Sequence, residues 1–266
     1  MKYFFFLLIG LLTLVASCSW NKSTNSKPDI VKDTLLYQYK TYKQRAADCG
    51  DKPDSGCTVV QFKYPVFTAQ PAFNDTVRHR TATLFGVYKK ADTSFKQFAD
   101  KFMKAYQQEM VNRNTKIIYT LQTATTVVRQ DSALTTLQLS GYSFQGGAHG
   151  SSLTTFINWD TKAHKYIKLN DILVDNYQPA LDSVAEKIFR KQENLSDTEP
   201  LKTNYFFAKD KFSLNDNFSI TPMGLRFIYN EYEIKPYAAG KTELFIPYTQ
   251  IQTLLRPNTV VSQYIK

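Results

Sequence analysis

Two hydrophobic periods alternate along this chain, one of two residues and one of three to four. Residues 34–42 hold Leu35, Leu36, Tyr37, Tyr39 and Tyr42, and residues 58–67 hold Val59, Val60, Phe62, Tyr64 and Val66; both have strand composition. Pro71 opens a helix in which Phe73, Val77, Leu84 and Phe85 recur at near-helical spacing, with Gly86 at its end. The clearest helix follows, where Phe95, Phe98, Phe102, Tyr106 and Met110 form one stripe behind the capping-box pair Ser94 and Gln97. An aromatic stripe at that period reads as core. Residues 117–128 and 133–144, rich in Thr and Val and joined by Arg129, Gln130, Asp131 and Ser132, predict an antiparallel hairpin.

The second half continues in the same way. Residues 153–159 and 164–169 flank the turn-like tetrapeptide Asp160 to Ala163 and predict a second hairpin. A helix over 179–191 is marked by Leu181, Val184, Ala185, Ile188 and Phe189, with Asp182 near its start and Lys187, Arg190 and Lys191 near its end, where the macrodipole favours them. Strands are expected at 218–220, 225–229 and 242–246, the last followed by a short helix capped by Thr249. Helices bunched between antiparallel segments give an α+β class: antiparallel sheets with packed helices, in two intimately associated subdomains, 30–144 and 145–266.

The amino end supplies an address. Lys2 precedes an apolar run over 3–15, too short for a bilayer-spanning helix of roughly 20 residues. The run ends in Val15-Ala16-Ser17-Cys18, which resembles the bacterial lipobox. Residues 1–17 therefore read as a lipoprotein signal peptide, Cys18 as the lipidated residue that ties the chain to a membrane, and residues 18–29 as a polar tether. Ser19 rather than Asp after the cysteine points to the outer membrane by the bacterial sorting rule. The expected location is the cell envelope.

Charge narrows the partners. The 266 residues carry 33 Lys and Arg against 23 Asp and Glu, a net +10, and loss of Lys2 with the signal leaves +9 (10 − 1). A basic surface in the envelope suits anionic polymers or headgroups, while nucleic acid is disfavoured by the compartment. Cys49 and Cys57 remain after Cys18 is spent, an even pair in a polar, turn-rich stretch, and in an oxidising compartment the pair reads as a disulfide. The competing zinc site needs further ligands, and His79, His149 and His164 lie far apart without ligand spacing. No cofactor is expected.

Two segments fit neither period: Gly141 to Gly150, with four glycines and His149, and Glu231 to Gly240, with the Pro236-Tyr237 corner. Glycine permits close backbone approach by a partner, and an exposed Tyr offers a flat apolar face with a polar tip. They are candidate recognition loops; structural corners are the alternative. Glu231, Glu233 and Glu243 either build an acidic patch or lie on a solvated strand face.

The order of Tyr142-Ser143-Phe144-Gln145-Gly146-Gly147-Ala148-His149, then Phe156-Ile157-Asn158-Trp159-Asp160, Lys168-Leu169-Asn170-Asp171-Ile172-Leu173 and Gly224 through Asn230 to Gly240 resembles the DUF3298 domain. The preceding half, with its cysteine pair and aromatic helix, is similar to the DUF4163 domain. The tandem occurs in RsiV-type anti-sigma factors that sense lysozyme and in PdaC-type peptidoglycan deacetylases, so the resemblance implies envelope recognition with lysozyme or peptidoglycan-type glycan as partner. It places candidate ligand contacts at Ser143, Gly147, His149, Pro236 and Tyr237. The expectation is a non-catalytic binding protein. A structural envelope protein is the second reading, and a glycan-acting hydrolase or deacetylase accessory the third.

Overall fold

Six strands form one mixed sheet in the order β1 (Tyr37–Arg45), β2 (Val59–Phe67), β3 (Thr120–Gln130), β4 (Leu134–Phe144), β5 (Ser151–Asp160) and β6 (Lys165–Tyr166). This is a computed structural model, and it describes residues 34–86, 94–113 and 117–265. The signal peptide, Cys18 and the tether lie outside the described residues. Neighbouring strands run antiparallel except β2 and β3, which are parallel. A parallel pair needs a crossover, and here it contains the helices α1 (Pro71–Ala82) and α2 (Phe95–Arg113). The expected antiparallel sheets are therefore interrupted once, at the crossover that carries both predicted helices.

Both helices bury their stripes on one face of this sheet. From α2, Phe95, Phe98, Phe102 and Tyr106 are buried with Val60, Phe62 and Leu121, and Phe62 stacks on Phe95 at 4.7 Å. From α1, Phe73 lies between Phe67 and Trp159, at 4.4 and 4.5 Å, while the hydroxyls of Thr81 and Thr125 meet at 2.7 Å. Each fully buried phenylalanine contributes about 2–3 kcal/mol, so these stripes hold the crossover down. The Ser94 cap forms, with Gln97 N–H donating to Ser94 Oγ at 3.2 Å. Helix α1 stops at Ala82, before Leu84 and Phe85, which instead close over Gly141, where a Cβ would meet both side chains within 2.8 Å. Cys49 and Cys57 are joined in a disulfide at the end of this core.

The remaining elements are α3 (Leu169–Ile172), α4 (Gln178–Gln192) and a three-stranded antiparallel sheet of β7 (Phe218–Ile220), β8 (Gly224–Tyr229) and β9 (Thr242–Pro247). Leu181, Ala185 and Phe189 of α4 are buried, and Phe189 packs edge-on against Tyr205 and Phe207. The second hairpin is shorter than its pattern suggested: β6 is two residues long, and Leu169 begins α3 instead of extending the strand. Thr249 lies inside a 3-10 turn, Tyr248–Gln250, rather than capping a helix. The six-stranded sheet continues across residue 144, since β4 pairs with β5 along its length.

Asparagines join the two sheets. Asn158, fully buried on β5, donates to Phe218 O at 2.9 Å and accepts from Ile220 N–H at 3.0 Å. Asn230 returns the arrangement, accepting from Thr154 N–H at 2.7 Å and donating to Thr154 O at 3.1 Å, with Asn217 donating to the same carbonyl at 2.8 Å. At Thr154 the open edge of β5 thereby finds its backbone partners in side chains that flank the strands of the second sheet.

Candidate functional site

The glycine-rich segment is the β4–β5 connection. Gly146 and Gly147 adopt φ of +90° and +95°, which side chains rarely tolerate, and Gly150 lies under the Tyr142 ring, 2.4 Å from where its Cβ would be. The turn they make lifts His149 out to solvent. The other segment leaves β8 through a turn in which Tyr232 holds φ of +66°, then forms the 3-10 turn Tyr237–Ala239 after Pro236. Ala239 N–H donates to Pro236 O at 2.9 Å and fixes that corner.

The two segments meet. The His149 ring stacks on Tyr237 at 3.9 Å with 13° between planes, and Tyr232 completes a three-ring cluster at 5.6 Å from Tyr237 and 5.9 Å from His149. His149 Nδ1 lies 3.0 Å from Gly150 O, a carbonyl to which it can only donate, and Nε2 lies 3.0 Å from the Tyr232 hydroxyl. Both ring nitrogens are thus directed at neutral partners, not at a carboxylate.

Of the residues expected to act together, His149 and Tyr237 are in contact, Gly147 and Pro236 are exposed beside them, and Ser143 is apart. Ser143 is buried in β4, where Gln145 Nε2 donates to its hydroxyl at 3.4 Å. Tyr232 was not among the expected residues, although it is an aromatic five positions before Tyr237 in the same aperiodic segment.

Of the three glutamates, Glu231 is half-buried, its Oε2 shielded and without a hydrogen-bond partner among the described residues, while Glu233 and Glu243 are exposed. Glu233 accepts from Asn230 N–H at 2.8 Å and from Asn215 Nδ2 at 2.5 Å, while Glu243 lies 3.6 Å from Arg226. Among the described residues, no group of three or more His, Cys, Asp or Glu side chains is placed to hold a metal ion.

Two clefts open where the sheets meet, of about 400 and 440 Å³. The first is walled by Thr154, Asn215, Asn217, Asn230 and Glu233, the second by Tyr166, Lys168, Asn170 and Tyr177, and both are bounded by Arg80 and Asp216. The turn after β8 supplies Asn230 and Glu233 to the first cleft and Tyr232 to the ring cluster. Burial raises the Tyr177 hydroxyl above its ordinary pKa, with a further push from the Asp216 and Asp182 carboxylates. Nothing in local spacing announces these clefts, since their residues come from both sheets and from α1. The run Asn215-Asp216-Asn217 just before β7 was the one sequence signal available.

Comparison with known proteins agrees with this architecture. Residues 170–249 match the family described as "Protein of unknown function (DUF3298)". Over the part read as DUF4163-like, residues 52–152 match the family described as "Deacetylase PdaC". A curated relative, peptidoglycan-N-acetylmuramic acid deacetylase PdaC of Bacillus subtilis (strain 168), is 22% identical over 191 residues, 69% of this chain. The chain spans 40% of that relative's length. A solved structure of a DUF3298 family member from Bacteroides fragilis NCTC 9343 superposes with a TM-score of 0.68 at 23% identity, covering 87% of this chain and 97% of the other. A DUF3298 family protein from Pseudomonas aeruginosa PAO1 gives 0.67 at 22% identity, over 84% and 95%. The chain therefore carries consecutive segments similar to the PdaC and DUF3298 families, on an α+β fold shared with these two solved structures.

Proposed function

We propose that this chain is a lipid-anchored cell-envelope protein, held at the outer membrane through Cys18, that binds a peptidoglycan-type glycan without transforming it. The observation that carries this reading is the stack of His149 on Tyr237, which joins the two aperiodic loops into one aromatic platform, exposed at His149 and Tyr232 and half-buried at Tyr237, beside a carboxamide-lined cleft. Sugars bind through such surfaces: a flat ring takes the apolar face of a pyranose, and side-chain amides and carboxylates pair with its hydroxyls. The PdaC relative, named as a deacetylase of peptidoglycan N-acetylmuramic acid, supports the glycan class.

Binding is preferred over catalysis because His149 Nδ1 is held on Gly150 O and Nε2, the edge that would carry a base's lone pair, faces the Tyr232 hydroxyl. A general base needs that lone pair aimed at substrate or water. Glycan is preferred over lysozyme on charge. A basic partner would meet a basic chain, and Glu233 and Glu243 are already engaged within the fold.

Calorimetric titration of the full-length chain in detergent with soluble peptidoglycan fragments tests the reading. Tyr237→Ala is expected to weaken binding roughly fivefold to tenfold through loss of the stacking face. Unchanged affinity would remove the platform from the site, and release of acetate or new reducing ends by the pure protein would replace binding with catalysis.

A further inference from the structure

The two clefts adjoin at Arg80 and Asp216, which line both, and side by side they make a groove along the junction of the sheets. Its chemistry changes along its length. One end presents the carboxamides of Asn215, Asn217 and Asn230; the other presents Tyr166, Tyr177 and the Lys168 amine. Arg80 stands at the middle, its guanidinium 4.6 Å over the Tyr166 ring.

Among the described residues no carboxylate lies within ion-pair distance of Arg80, and its guanidinium has no hydrogen-bond acceptor. A guanidinium held against an aromatic face keeps its N–H edge free, and that edge fits a carboxylate in bidentate fashion. Four charged groups face the groove: Arg80 and Lys168 as cations, Asp216 and Glu233 as anions. Glu233 accepts from Asn230 N–H and Asn215, both neutral donors, and keeps its charge, so the two cations and two carboxylates balance and selectivity for an acid rests on the unpaired Arg80 edge.

We infer that the groove binds an extended saccharide bearing a carboxylate, with Arg80 holding the acid group. Asp216 takes hydroxyls and amides on one side of it, along a wall shaped by Asn215, Asn217 and Asn230, whose amides are bonded within the fold, and Tyr177 and Tyr166 lie against a sugar face on the other. This rests on the glycan reading above and adds the group the glycan must carry. The net positive charge of the chain favours the same ligands in the encounter step. The required carboxylate is supplied equally by a lactyl ether or stem peptide on a wall sugar, or by a uronic acid in another envelope polysaccharide.

Calorimetric titration of the full-length chain in detergent tests this with three probes: a disaccharide tetrapeptide from peptidoglycan, tetragalacturonate and neutral chitotetraose. At least one acidic probe is expected to bind more than tenfold tighter than chitotetraose, and which one does identifies the source of the carboxylate. Arg80→Gln is expected to weaken the acidic probe roughly tenfold to a hundredfold and to leave chitotetraose nearly unchanged. Arg80→Lys should recover part of the loss, and its melting temperature should match the parent. Equal binding of neutral and acidic probes, or a preference that survives Arg80→Gln, overturns the inference while leaving glycan binding intact. If no probe binds the parent protein, the glycan reading falls and this one with it.

Discussion

Three asparagines act here as a neighbouring strand would, each offering one carboxamide to both the N–H and the C=O of another segment. Asn74 on α1 takes Phe67 N–H at 2.7 Å and donates to Phe67 O at 2.8 Å; Asn158 does the same for Ile220 and Phe218, and Asn230 for Thr154. Their effects should differ with burial. Asn158 is fully buried, so Asn158→Ala orphans two backbone groups that water cannot reach, at about 1–3 kcal/mol each. Urea unfolding should show a loss of about 3 kcal/mol or more. Asn74 is half-buried at the helix rim, where water can replace the amide, and Asn74→Ala should cost about 1 kcal/mol. Equal losses would mean that the Asn158 bonds do not hold the sheets together.

Elements with a strong local period could be read from the chain alone. Helices α1, α2 and α4 bury the centre of each stripe, Phe73 and Val77, Phe95 to Tyr106, and Leu181, Ala185 and Phe189, because a stripe opposite a sheet has one stable orientation. Met110, Val184 and Ile188 are half-buried at the margins, and Leu84 and Phe85 lie past the end of α1. The parallel pairing of β2 with β3 could not be read, since strand composition does not encode direction. The aperiodic loops were visible as breaks in pattern, yet their meeting depends on β4 pairing with β5 and on the asparagine contacts that place the second sheet. Arg80 and Asp216 belong to a groove built from distant segments, and no spacing links them. Gly224 shows a constraint of the same non-local kind. A Cβ there would come within 2.2 Å of Ile246 O on the paired strand. Gly224→Ala must therefore push β9 backbone aside, and an overpacking loss of about 2–3 kcal/mol is expected in chemical denaturation. Gly147→Ala meets nothing within 4 Å and is strained only by its φ, so a loss nearer 1 kcal/mol is expected.

At the scale of the whole molecule, the carboxyl-terminal turn, Val260–Tyr264, is fastened back onto the β3–β4 turn across 133 residues of sequence. The Tyr264 hydroxyl donates to Asp131, and the Arg129 guanidinium lies 5.1 Å from the Tyr264 ring centre while Arg129 Nε donates to its oxygen at 3.3 Å. Burial works against the Asp131 charge, but hydrogen bonds from Tyr264, Ala133 N–H, Leu134 N–H and Arg129 outweigh it and hold the carboxyl below its ordinary 3.8. Burial and the Asp131 hydrogen bond push Tyr264 from 10.0 up to about 12, and burial with the Glu193 hydrogen bond does the same to Tyr205. The two directions set two edges of stability. A depressed carboxyl stabilises the fold above its unfolded value and loses that contribution as pH falls through the folded one, so the acid edge lies below about pH 4. A raised phenol stabilises the fold below its unfolded value and loses that contribution as pH climbs from 10 to about 12. Urea midpoints should therefore stay level from pH 7 to 9 and fall steeply between 10 and 12. Tyr264→Phe should start lower at pH 7, because Asp131 loses a donor, and should fall less steeply above pH 10, with Tyr205 supplying part of the remaining slope. If the variant kept the full alkaline slope of the parent, the terminal fastening would not be among the groups that titrate.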